Sequence, residues 1–153
     1  MEFWGRVWDE LTVLIVAAMP VLELRGAVPL AFHLGLTWQE AFLFAYIGNF
    51  IPVVPLILLS RKALTFLSAT KWFVHPSSWL ERHIRGKQDV VVRYSAVGLA
   101  ILVAVPLPGT GAWTGAILAS LLNLRLKYAV PAIAFGIFVA DIIVTAITYG
   151  LLT

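Results

Sequence analysis

Three residues carry formal charge inside the long apolar stretches of this chain: Glu23, Arg25 and Asp141. Charge buried in lipid is costly, so such residues face a cavity, a partner or a pathway. Ionised together they sum to minus one. One arginine neutralises one carboxylate, and desolvation favours the neutral form of the other, so Glu23 or Asp141 is expected to exchange a proton or couple an ion. Glu23 and Arg25 stand two positions apart, which points them away from each other on a helix but to one side in extended chain. A site shared by both therefore requires an unwound break. The structural alternative is that each satisfies backbone groups exposed at that break.

A second constellation is Pro106-Leu107-Pro108-Gly109-Thr110-Gly111. Two prolines and two glycines so close together break a helix, and the helix that follows begins with unpaired N–H groups. Helix N-termini at mid-membrane attract anions, and Gly26 offers the same feature at the first break. Arg25, Gly26, Gly109, Thr110 and Gly111, with Asn49, form the expected substrate-binding set. Thr145 and Thr148 lie roughly one and two turns beyond Asp141 on the same helical face. They line a cavity or make interhelical hydrogen bonds, and the sequence favours neither. His75 and His83 show no metal-ligand spacing. With no cysteine, thiol chemistry and thiolate metal sites are excluded. Without a clustered acid-base set or a nucleophile elbow, neither an enzyme, a cofactor nor a metal is expected.

The elements that must hold these residues are set by composition. Of 153 residues, 61% are hydrophobic and 12% charged, with a mean hydropathy of +0.93. Soluble proteins carry about a quarter charged residues, so lipid is the solvent that suits this chain. Residues 41–59 contain no charge, and 128–152 contain only Asp141. Each is long enough to cross a hydrocarbon core of about 30 Å. Residues 94–124 are uncharged but broken by the Pro-Gly segment into arms of roughly 18 to 20 Å, too short to span alone. Residues 11–36 repeat that design, with Met19-Pro20 and Glu23-Leu24-Arg25-Gly26 as the break. Residues 1–10 hold Glu2, Asp9 and Glu10 against Arg6, unlike a basic leader, and are expected to belong to the mature protein.

Each broken stretch is either a kinked span or a re-entrant hairpin, and charge discriminates. With hairpins, residues 61–93 and the Arg125/Lys127 turn share one face, in keeping with the positive-inside tendency. Four spans would separate them. The expected fold is therefore all-α, a single membrane domain over 1–153. Its first repeat covers 11–60, a cytoplasmic and interfacial linker covers 61–93, and a second, inverted repeat covers 94–153. Both termini face away from the cytoplasm across the cell membrane. Met19-Pro20 matches Val105-Pro106, and Leu36 to Glu40 falls on Leu122 to Leu126, each 86 positions later. Inverted repeats with broken helices are a plan of secondary transporters. Within the linker, residues 62–74 pattern as an interfacial helix, Ser78 and Glu81 form a capping box, and Gly86 stops the short helix. The chain's net charge is +3, but most of its basic residues fall in this linker, beside lipid headgroups, and nucleic acid is not an expected partner.

Glu23-Leu24-Arg25-Gly26-Ala27-Val28-Pro29 and Pro106-Leu107-Pro108-Gly109-Thr110-Gly111-Ala112-Trp113-Thr114-Gly115 resemble the two signature motifs of the small multidrug export protein family. That family is a distant relative of the DedA, or VTT-domain, superfamily. The resemblance covers nearly the whole chain and implies the re-entrant, inverted-repeat fold. DedA relatives are associated with moving lipids, including polyprenyl-phosphate carriers, and with proton or sodium coupling. The leading expectation is a transporter or flippase for an anionic amphipath such as a phosphorylated lipid carrier. Its phosphate would be held by Arg25 and the two tip N-termini. The alternatives are export of small cationic drugs drawn by Glu23 and Asp141, or a non-transporting scaffold that shapes the membrane. A chain this small is expected to pair with a second copy to enclose a pathway.

Overall fold

The computed structural model describes residues 2–68, 88–107 and 109–151. Among these residues it is all helical, with seven segments: α1 (Glu2–Ala18), α2 (Glu23–His33), α3 (Trp38–Phe50), α4 (Val53–Ser68), α5 (Gln88–Ala104), α6 (Ala112–Leu121) and α7 (Leu126–Leu151). Two apolar helices are long enough to cross a membrane: α3 continued through a bend into α4, Trp38–Phe66, and α7, Leu126–Gly150. The bend falls at Ile51 and Pro52, where proline removes a helical N–H. Pro131 sits in the second turn of α7 and leaves that helix unbroken.

Local chemistry explains the boundaries. Thr37 caps α3 with a complete capping box: the Glu40 N–H donates to the Thr37 hydroxyl, and the Thr37 N–H donates to the Glu40 carboxylate at 2.8 Å. α1 begins at Glu2, so the first arm takes in residues 2–10 as well as the expected 11–19. α4 runs on without a break through Arg61 to Ser68, where the pattern had suggested a separate interfacial helix starting at residue 62. Arg61 is only half-buried there and donates to the Leu124 carbonyl in the turn before α7, so the helix is held past the apolar segment. The linker capping box at Ser78 and Glu81, Gly86, His75 and His83 lie outside the described residues.

Packing is set by small residues. α1 runs alongside α3: Arg6 pairs with Glu40 at 3.1 Å near the start of both, and Gly48 presses on Leu14 and Ala17 further along. A Cβ at Gly48 would overlap the Leu14 carbonyl oxygen and come within 2.8 Å of the Ala17 Cβ. α5 meets α7 through the same device, for a Cβ at Gly136 would lie 2.8 Å from the Ala100 carbonyl oxygen and 2.7 Å from the Val103 Cβ. Ala100 and Val103 stand 86 positions after Leu14 and Ala17, whereas Gly136 stands 88 after Gly48.

The turns after the second arms match at 88 as well. Leu34 and Leu122 both cap with φ −78° and ψ −1°, and Leu36 N–H to Ala31 O recurs as Leu124 N–H to Ala119 O, each at 3.0 Å. The left-handed turn residue is Gly35 in one half and Asn123 in the other. Trp38 and Leu126, which start α3 and α7, are also 88 apart. The sequence match of 86 positions therefore holds before the break and becomes 88 after it. Between the first arm and the turn that follows the second arm, the second half is two residues longer, so Leu36 pairs with Leu124 rather than Leu122. That insertion is invisible to a pattern match because leucine stands at 122, 124 and 126 alike.

Alanine is the commonest residue of the buried core, ahead of valine, leucine and isoleucine, at positions that include Ala27, Ala31, Ala41, Ala45, Ala112, Ala116 and Ala119. Small side chains let helix backbones approach closely where lipid outside is as apolar as the protein inside.

Candidate functional site

The two breaks meet. The chain leaves α1 in a turn over residues 19–22, and Glu23 then takes a left-handed backbone, φ 48°, at the first position of α2. That conformation costs a non-glycine residue roughly 1–2 kcal/mol. It turns Glu23 so that Arg25, two residues on, reaches it: Arg25 Nη1 donates to Glu23 Oε2 at 3.2 Å. The unwinding that the two-residue spacing demands is present.

Both charges then serve the second break. Arg25 Nη2 donates to the carbonyl oxygens of Val105 and Thr110, each at 3.2 Å, and to the Thr110 hydroxyl at 3.3 Å. Val105 lies just past the end of α5, where carbonyls have lost their helical partners. The Glu23 carboxylate sits at the start of α6 and accepts from the Trp113 N–H at 3.4 Å. A cation thus lies at a helix C-terminus and an anion at a helix N-terminus, the arrangement that the two helix dipoles favour. Trp113 adds a bond from its ring N–H to the Ala18 carbonyl at 3.2 Å, closing the first break from the other side. Thr110 ties the second break internally by donating to Val105 O at 2.8 Å and Leu107 O at 2.9 Å. Gly111 has no room for a side chain, because a Cβ there would overlap the Glu23 carboxylate.

Of the residues singled out in the sequence, Glu23, Arg25, Thr110 and Gly111 are brought together. Gly109 forms the turn beside them, with φ 82°. Gly26 lies a turn into α2, and its N–H, expected to be unpaired, is bonded to Leu22 O at 2.8 Å. That amide is spent on the helix.

Asp141, Thr145 and Thr148 form a second group on α7, all buried. Asp141 is 0% exposed. The Thr145 hydroxyl donates to its Oδ1 at 3.3 Å, while Oδ2 has no hydrogen-bond partner among the described residues. No salt bridge reaches it among them. Asn49 on α3 is buried at 1% exposure with its Oδ1 also unpartnered, and it has no hydrogen bond to either group.

Beside Asp141 the structure adds residues that the sequence reading passed over. A groove of about 380 Å³ is lined by Trp38 and Phe42 of α3 and by Phe138, Ile142, Ala146 and Tyr149 of α7, together with Thr145, which the sequence had already singled out. Trp38, Phe42, Tyr46 and Phe50 recur every four residues, one stripe along α3. Tyr46 stacks on Phe42 and on Phe50 at 6.3 Å each, and Phe138 meets Phe42 and Tyr46 edge-on. The four-residue aromatic spacing was the signal available in the sequence. Among the described residues no cluster of His, Asp and Glu could hold a metal ion.

Broken helices tied by an internal ion pair, beside helices long and apolar enough to span, define a helical membrane protein. The family model described as "Putative small multi-drug export protein" matches residues 23–143, from the Glu23 break to just past Asp141. The chain belongs to that family. Neither the curated proteins nor the solved structures give a match.

Proposed function

We propose that this protein is a secondary transporter that exports small amphipathic molecules, built as an inverted pair of re-entrant hairpins and coupled to a proton or sodium ion at Asp141. The observation that carries the reading is Asp141 itself, a fully buried carboxyl on a spanning helix with one oxygen unpartnered among the described residues. An ionisable group that packing does not satisfy in lipid is the mark of a transport pathway.

Contacts along the helices support the inverted arrangement. Tyr149 bonds Leu36 O near the start of α3, and Arg61 bonds Leu124 O near the start of α7. The α1–α2 pair thus opens toward the Thr37 end of the bundle and the α5–α6 pair toward the Arg61 end. Arg61, Lys62, Arg125 and Lys127 gather at the second end, while Arg6, Asp9, Glu10 and Glu40 gather at the first. This charge bias supports a cytoplasmic linker and outward termini.

In this reading Glu23 and Arg25 are the lock that joins the hairpins, and Asp141 is the group that exchanges. A phosphorylated lipid carrier held at Arg25 is the weaker reading. The α6 amide that would hold the phosphate already donates to the Glu23 carboxylate, and the guanidinium already donates to Glu23 and to the Val105 and Thr110 carbonyls. No enzymatic step is proposed.

The test is flux of ethidium in proteoliposomes under an imposed pH gradient or sodium gradient. Gradient-driven uptake in wild type and its loss in Asp141→Asn, with the protein still monodisperse, is the expected result. Undiminished flux in Asp141→Asn overturns the coupling role, and absence of flux for ethidium under either gradient overturns export of such molecules.

A further inference from the structure

We propose that the aromatic groove between the start of α3 and the end of α7 is the binding site for a lipophilic organic cation, with Asp141 beneath its floor as counter-charge. The proposal rests on the exporter reading and adds the place and charge of the substrate.

The groove's volume, about 380 Å³, is that of a small-molecule site. Apart from Thr145 its walls are aromatic or aliphatic, and among the described residues no lysine, arginine or histidine lines it. Aromatic faces attract cations, more strongly when the cation is desolvated. They offer an anion nothing. The lining side chain that bonds to Asp141 is Thr145, whose hydroxyl donates to Oδ1 at 3.3 Å. Thr145 therefore joins the groove to the buried carboxyl. Rotation of that hydroxyl away from Asp141 leaves both carboxylate oxygens without a hydrogen-bond partner among the described residues.

The groove also opens on the lipid side. Trp38 is 55% exposed and Phe138 43% exposed, on helices read as spanning. A lipophilic ion partitioned into the bilayer reaches the site from the side without crossing water. The stripe Trp38, Phe42, Tyr46, Phe50 extends from the helix start to the bend, over about 18 Å at helical rise. It gives such an ion a continuous aromatic surface toward mid-membrane.

A lipid acyl chain or a second copy of this chain would fit the same apolar walls, but neither needs a carboxylate beneath them. A pair of probes of one shape and opposite charge separates the cases: tetraphenylphosphonium and tetraphenylborate, measured by equilibrium dialysis against the purified protein in detergent. Wild type is expected to bind the cation at least tenfold more tightly than the anion. Asp141→Asn is expected to lose at least tenfold for the cation and leave the anion unchanged. Ala146→Trp, at an exposed lining position, fills the groove without touching the core and is expected to abolish cation binding. Equal affinity for both probes, or cation affinity unchanged by Ala146→Trp, overturns the site. Flux in proteoliposomes is read separately. Transport that persists with Ala146→Trp sinks the groove but not the exporter, and groove binding without transport in wild type sinks the exporter but not the groove.

Discussion

Replacing Gly111 by alanine adds one methyl group at the point where the Glu23 carboxylate meets the start of α6. An ideal Cβ there overlaps both carboxylate oxygens and their carbon, so the carboxylate must leave. The backbone at Gly111, φ −101° and ψ −162°, is extended and open to any residue, so the alanine brings no strain of its own. Departure of Glu23 breaks its bond from the Trp113 N–H and its ion pair with Arg25. Separating a buried charge pair costs about 3–5 kcal/mol. Glu23→Ala alone costs a similar amount, because Arg25 then keeps its charge without its counter-charge. In the double variant the new methyl has nothing to displace. Its cost should therefore equal that of Glu23→Ala alone, a coupling of about 3 kcal/mol between two residues far apart in sequence. The assay is unfolding in mixed detergent–SDS micelles followed by far-ultraviolet circular dichroism, for wild type, both single variants and the double. Costs that add to within about 0.5 kcal/mol would show that the two hairpin tips do not meet through this contact.

The remaining predictions test neighbouring parts of the same structure. Arg25→Lys keeps a charge for Glu23 but cannot also reach the Val105 and Thr110 oxygens, and should lower stability by about 1–3 kcal/mol, less than Arg25→Ala, in the same unfolding assay. Gly48→Ala and Gly136→Ala each drive a methyl into a neighbouring helix and should each cost about 1–3 kcal/mol, while Gly98→Ala, which has open space around it, should cost nothing measurable; equal effects at all three positions would refute the helix contacts. Thr37→Ala removes the capping box of α3 and should cost about 1 kcal/mol, seen as a lower unfolding midpoint with helix content unchanged in the native state.

Composition and the placement of three charges by themselves determined that this chain belongs in a membrane, and which residues interrupt its helices. Proline, glycine and the apolar run length act locally, so they are legible without a fold. The Glu23–Arg25 spacing even required the unwound turn that the structure contains, because side-chain direction follows from backbone geometry alone. The two-residue insertion in the second half was not legible, since leucine recurs at every second position of 122–126 and hides the shift. Nor could the sequence say where the charges point. Glu23 and Arg25 face a helix start and a helix end 90 and 80 residues away, and only the approach of two hairpin tips supplies those partners. Trp38 and Phe42 are likewise far from Phe138 and Tyr149 in sequence, so the aromatic groove exists only once α3 and α7 lie side by side. Which carboxyl is satisfied and which is left over depends on neighbours brought together from distant parts of the chain. Packing decides that, through the glycines and alanines that let these helices touch.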